Sequence, residues 1–331
     1  MIKTIALATL PAALFAAAPP EAPDALLPYI EDGHFEPDDF GWMKGAFPGA
    51  SERQKRDYQT VQRWLEACST DAKLEVFARL EELGVPKPSL DDLPIARPLC
   101  DEVAAMPDVD AYESYDEFAE MLATTRPVFD ALVFTTELAT KIAGPTTRSL
   151  ADKLNHRTTA EQIYRHAYSW VWQQDYKKGT PVLNDKQKPI FSALLAGEVI
   201  RTDRENTEWL KQVIAEHGWP TISMVGERAS QQAWLLAQHA DHDPVLQLEV
   251  LRLMEPLVEK GEVSQRNYAY LYDRVMLKLV GKQRFATQTE CKEGERVASE
   301  LEDKVRMPEF RQSMGLEPFE EYMDGFQSPC P

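Results

Sequence analysis

The stretch AWLLAQHADHDPVLQLEVLRLMEPLVEKGEVSQRNYAYLYDRVMLKLVG, residues 233–281, reads as three helices in succession. Its apolar residues recur three and four apart, which is helical spacing; a half-buried strand would alternate. Asp243 followed by Pro244 is the grammar of an N-cap and a first-turn proline. Gly261 and Gly281 stand where a helix ends in left-handed backbone. The pattern predicts helices over 229–239, 244–260 and 264–280. Links this short make neighbouring helices antiparallel.

Outward from this stretch the same pattern continues. Ser51-Glu52-Arg53-Gln54 is a capping-box signature opening a helix to about Cys68, and a second helix runs from Ser69 to Gly84. Residues 89–112 read as loop. Helical spacing returns over 114–124 and 127–143. Thr158-Thr159-Ala160-Glu161 starts another helix, and two more cover 184–200 and 203–217. The alternation in QRFATQTEC predicts a short extended segment near 283–290, and a last helix is expected over about 292–305. The expected class is mostly α, a multi-helix array of antiparallel pairs with no strand-rich region. Gly144-Pro145 marks the best boundary, between an N-terminal helical region (51–145) and a C-terminal helical domain (146–331).

The start of the chain sets the compartment. Lys3, an apolar run from Ile5 to Ala17 and the small residues Ala16, Ala17 and Ala18 have the layout of a secretory signal peptide, residues 1–18. An uncleaved anchor is the alternative; no later run is long and apolar enough for a membrane span. Residues 19–50, rich in Pro, Gly and acidic side chains, form an arm that is docked or loose. The four cysteines, an even number in an exported chain, point to disulfides. Of three possible pairings, Cys68–Cys100 with Cys291–Cys330 would staple each end of the chain; buried thiols are the alternative. A periplasmic or secreted location follows. The formal net charge of −18 repels phosphate backbones and anionic lipid, so nucleic acid is excluded as a natural partner.

The chemically dense part is 203–288. His239 ends an apolar helix, where an imidazolium is favoured by the macrodipole; it suits either capping or acid–base chemistry. Asp241 stands beside it in the turn. His242 is expected in water, and Asp243 already has a capping role. A His239–Asp243 metal site has loose spacing, and no metal or cofactor is expected. Asp273 and Arg274 lie inside the apolar helix YAYLYDRVMLKLV, so at least one charge must be buried and partnered. Arg274 could fork onto a carboxylate or phosphate. Gln283, Thr287 and Gln288 add polar groups nearby. Trp219 is either a stacking surface or a packing plug. There is no GxSxG, HExxH, P-loop or GxGxxG.

These residues carry a resemblance. Gly218-Trp219-Pro220-Thr221, Gln238-His239-Ala240-Asp241, Asp243-Pro244 with Gln247, Ala269-Tyr270-Leu271 and Asp273-Arg274 fall in order along 185–325. Asp203, Asn206 and Arg311-Gln312-Ser313-Met314-Gly315-Leu316 extend the set. Together they resemble a family of bacterial domains of unknown function marked by GWPT, QHAD-x-DP, AYL-x-DR and YGTQ. Phe285-Ala286-Thr287-Gln288 departs from the last motif, lacking its tyrosine and glycine. The resemblance implies a domain and a site, without a reaction. The reading that follows is an exported protein with a polar pocket in its C-terminal domain. His239 and Asp241 would work on an anionic small molecule held by Asp273, Arg274, Gln283, Thr287, Gln288 and Trp219, with hydrolysis as the default class. The competing reading is a non-catalytic envelope or interaction protein in which the same residues form a structural polar network.

Overall fold

A computed structural model describes residues 20–85, 93–95, 97–144, 149–172 and 182–326. The expected signal peptide (1–18) and Cys330 lie outside the described residues. Ser51 opens α1 (Glu52–Glu82) with the full capping box: its hydroxyl accepts from Gln54 N and the Gln54 side chain accepts from Ser51 N. Helix α1 does not break at Cys68–Ser69. Cys68, Ala72, Val76 and Leu80 follow one another at four-residue intervals and are all buried, so a single apolar stripe carries the helix through.

The arm before α1 is docked. Leu27–Tyr29 and Gly41–Ala46 are 3₁₀ turns flanking a hairpin of β1 (Ile30–Glu31) and β2 (His34–Phe35). Trp42 and Met43 are buried, and Trp64 of α1 donates its indole N–H to the Pro20 carbonyl at 2.9 Å. Within the region expected as loop lies α2 (Pro98–Ala104). It is tied to α1 by the Cys68–Cys100 disulfide, the first of the expected pairs. The 32-residue separation makes this link worth about 3–4 kcal/mol by loop-closure entropy.

Three long helices follow: α3 (Tyr115–Ala143), α4 (Leu150–Trp172) and α5 (Gln187–His217). The break expected in α3 is absent, although Pro127 can donate nothing to the carbonyl four residues before it. The break expected in α5 near 201–203 is also absent. Arg201, Asp203 and Arg204 interrupt the apolar spacing, but each forms an ion pair with another element: Arg201 with Glu36, Arg204 with Asp101, Asp203 with Arg165. Helix α4 begins eight residues before Thr158, which puts Glu161 in its interior.

The C-terminal part holds α6 (Ile222–Val225), α7 (Glu227–His239), α8 (Pro244–Val258) and α9 (Gln265–Val280). Asp243 caps α8 by accepting from Leu246 N at 2.9 Å, Ser264 caps α9, and Gly281 ends α9 in left-handed backbone. The helix expected over 292–305 is instead a hairpin, β3 (Thr289–Lys292) with β4 (Glu295–Ala298), whose reversal uses positive φ at Glu293 and Gly294. Two short helices, α10 (Met307–Ser313) and α11 (Phe319–Asp324), complete the mostly α architecture.

Two buried clusters hold the molecule. One gathers the arm, the first half of α1, α2, the first half of α3 and the facing residues of α4 and α5, including Phe118, Tyr164 and Ile190. The other gathers α7, α8 and α9 with Val76 and Leu80 of α1, Leu154 of α4 and Leu210 of α5. Helices α1, α4 and α5 thus contribute to both.

Candidate functional site

The residues singled out in the sequence separate into two groups. The first is sealed. Asp273 is fully buried in α9, yet its carboxylate accepts from the backbone N–H of Arg284, Phe285 and Thr287 and from the Thr287 hydroxyl, all at 2.8–3.2 Å. Four donors replace the lost water, as a buried charge requires. The Gln283 amide donates to the carbonyls of Gln288 and Ser299, and its carbonyl accepts from Gln288 N. Gln288 in turn donates to the Thr287 hydroxyl. Arg311, also buried, donates to the carbonyls of Phe285, Ala286 and Glu317.

All of these fasten the 283–288 loop. Ala286 sits in it at φ +54°, a left-handed backbone that favours glycine. An L-residue there is strained by roughly 1–2 kcal/mol, and the surrounding bonds hold it. Trp219 is buried in the C-terminal core, as a plug.

The second group reaches solvent. His239, the last residue of α7, directs Nδ1 at Glu161 Oε1 of α4. Glu161 is wholly buried and also accepts from Arg165 Nε at 3.2 Å, one turn along α4. The Arg165 guanidinium continues to Asp203 Oδ2 of α5 at 2.5 Å. Burial pushes the Asp203 carboxyl up to about 7; Arg165 opposes this, while the negative charges of Glu161 and Asp241 reinforce it. Oxygen Oε2 of Glu161 and Oδ1 of Asp203 are buried acceptors engaged by no donor among the described residues.

Asp241 occupies the turn after α7. It pairs with Arg274 at 2.5 Å and Lys278 at 2.9 Å, both from α9, and accepts from Gln247 of α8 at 3.3 Å. Burial pushes its carboxyl up, but Lys278 and Arg274 outweigh that and hold it below the usual carboxylate range. Gln247, itself fully buried, donates to the carbonyls of Ala237 and Gln238 and so fixes the end of α7.

The side chain of Asp241 is about half exposed, and those of Arg165 and Arg274 about a third. The group is therefore a polar patch with a buried floor. Arg274 pairs with Asp241, whereas His239 pairs with Glu161. His242 is half-buried rather than solvated: burial, then the nearby Arg204 and Lys211, push its pKa down to about 4.

One span of this chain has relatives. Residues 187–328 match the model of a family of unknown function (DUF6624). No curated protein and no solved structure matches the chain. The matched span runs from the first residue of α5 to just beyond α11. It holds Asp203, His239, Asp241, Arg274 and Lys278, whereas Glu161 and Arg165, on α4, lie outside it.

Those two were missed in the sequence. From the sequence, Glu161 is read only as part of the helix start Thr158-Thr159-Ala160-Glu161. The available signal was the Glu161–Arg165 spacing of four, which places opposite charges on one helix face. Lys278 was hidden inside the apolar run MLKLV. Among the described residues no group of three or more His, Cys, Asp or Glu side chains is arranged to hold a metal ion.

Proposed function

We propose that the protein is an exported acid–base hydrolase acting on an anionic small molecule at the junction of α4, α5, α7 and α9. The observation that carries this reading is the His239–Glu161 pair set beside Asp203. A buried carboxylate bonded to one imidazole nitrogen fixes the ring's orientation, which is how a histidine base is positioned. A second carboxyl titrating at about 7 can hold or release a proton at neutral pH. Strong perturbation by burial plus specific charged neighbours is the pattern of functional carboxyls.

In this mechanism His239 takes a proton from the attacking water through its Nε2 while Glu161 stabilises the imidazolium. Asp203 delivers a proton to the leaving group. Arg165 and Arg274, at the solvent edge, bind the substrate's anionic group; Asp241 orients Arg274. Export is supported by the leader-like residues 1–18 and by the Cys68–Cys100 disulfide, which an oxidising compartment maintains. No helix among the described residues is long and apolar enough to cross a membrane.

A panel of chromogenic phosphoesters and carboxyl esters tests the reading. Turnover of at least one class is expected, with kcat/KM cut roughly 10²–10⁴-fold by His239→Ala, the usual span for lost acid–base catalysis. Its thermal melt should stay near that of the parent. A specific observation favours the competing structural reading: Asp241 ties α9 to the α7–α8 turn through two cations at once. Full turnover in His239→Ala, or a large fall in its melting temperature, supports that network role instead.

A further inference from the structure

A recess lies where the end of α3 meets the first half of α4 and the last third of α5. It is open to solvent and offers about 630 Å³, within the range of small-molecule sites. Among the described residues three cations line it: Lys141 from α3, and Lys153 and Arg157 from α4. Among the described residues no carboxylate lines it, although the chain carries 54 acidic residues against 36 basic ones. Like charges gathered in one concavity repel one another and focus a positive potential on whatever enters.

Packing accounts for only part of this. Lys141 is in the last turn of α3, where a cation suits the helix dipole, and it pairs loosely with Glu137 at 3.4 Å. Lys153 stands in the first turns of α4, where that dipole disfavours a cation, and pairs with no carboxylate among the described residues. Arg157 lies over the Trp209 ring, 5.1 Å from its centroid, and gives one N–H to the Glu205 carbonyl at 3.1 Å. Its Nε is buried with no acceptor among the described residues.

The inner end of the recess is shaped as well as charged. His156 Nε2 donates to the Thr140 carbonyl at 2.7 Å. Gly144 has an ordinary φ of −77°, so backbone freedom is not why glycine is there. A Cβ at 144 would stand 2.9 Å from the Thr140 oxygen and 3.0 Å from His156 Nε2. Glycine lets the α3 terminus close onto the imidazole.

We infer that this recess binds a small polyanion carrying two or more phosphate or carboxylate groups, which Lys141, Lys153 and Arg157 neutralise together. The site is separate from His239 and does not depend on the hydrolase reading. Arg157 is nevertheless one helical turn from Glu161, so the two sites share α4.

Calorimetric titration of the full chain at low ionic strength, with inorganic pyrophosphate in one arm and citrate in another, tests this. One-to-one binding of either anion is expected: pyrophosphate alone assigns phosphate, citrate alone assigns carboxylate. Lys141→Ala and Lys153→Ala should each weaken it about tenfold, and Lys141→Glu with Lys153→Glu should abolish it. Both lysines are on the surface, so thermal melts should match the parent. Lys304→Ala and His239→Ala should leave the affinity unchanged. Binding of neither anion overturns the inference, and so does binding that the double charge reversal leaves intact.

Discussion

At the scale of single residues, the adjacent Asp273 and Arg274 face different surroundings. Asp273 is given over to a loop, and Arg274 reaches the solvent edge through Asp241. The sequence required a partner for buried charge but could not say which residue was buried, because helical spacing gives a face and not the neighbour on it. Asp273→Asn should be costly: its amide N–H₂ would confront backbone N–H donors. A loss of about 2–4 kcal/mol is expected in denaturant titration, as for charge-assisted bonds removed from a buried site; a loss under 1 kcal/mol would refute the account.

Asp203 gives a second residue-scale prediction. Its carboxyl moves from 3.8 to about 7, chiefly through burial. Between those values the folded chain keeps a proton that the unfolded chain has released. Stability from this group therefore falls as pH rises through that window and levels off above about 7. The slope inside the window is at most about 1.4 kcal/mol per pH unit. Asp203→Asn cannot ionise and removes the dependence. The stability gap between variant and parent should shift in the variant's favour from pH 4.5 to pH 7; an equal gap at both pH values would sink this.

At the scale of elements, local signals were read well where they were chemical and poorly where they were silences. The caps Ser51 and Asp243 stand where the sequence puts them, because a short polar side chain accepting a backbone N–H is a local device. Breaks were inferred wherever the apolar period lapsed, and three lapses were covered by other elements: Ser69 by the continuing α1 stripe, Pro127 by the length of α3, and 201–204 by ion pairs to α2, α4 and the arm. A helix is expected over 292–305, yet Glu293-Gly294 adopts left-handed backbone and turns a hairpin. The same local grammar places Glu161 at a helix start and says nothing of its pairing with His239 across 78 residues. Asp243→Ala tests the cap that was legible. It removes the bond to Leu246 N and the 2.8 Å pair with Lys211, so about 1–2 kcal/mol should be lost by thermal or urea unfolding. An unchanged midpoint would mean that Pro244 alone starts α8.

At the scale of the molecule, the sequence placed a boundary at Gly144-Pro145, and the long helices raise the question of what a cut there would expose. Leu154 and Leu210 pack in one buried cluster with Val76 and Leu80 of α1. On the same two helices, Tyr164, Ile190, Leu194 and Leu195 are covered by the cluster that contains the arm, α2 and α3. Fully burying one such side chain contributes about 1.5–3 kcal/mol. Uncovering five or six would cost on the order of 10 kcal/mol, which is the entire stability of an ordinary domain. We therefore predict that residues 146–331 expressed alone do not fold cooperatively, although they contain nearly all the sequence motifs. The full chain should show one calorimetric transition, and the fragment should lack a cooperative melt and bind a hydrophobic dye. A fragment that melts sharply near the parent's temperature would separate the two clusters. The His239 site would then survive without the arm and α1–α3, and only α4 would have to be kept with the matched span.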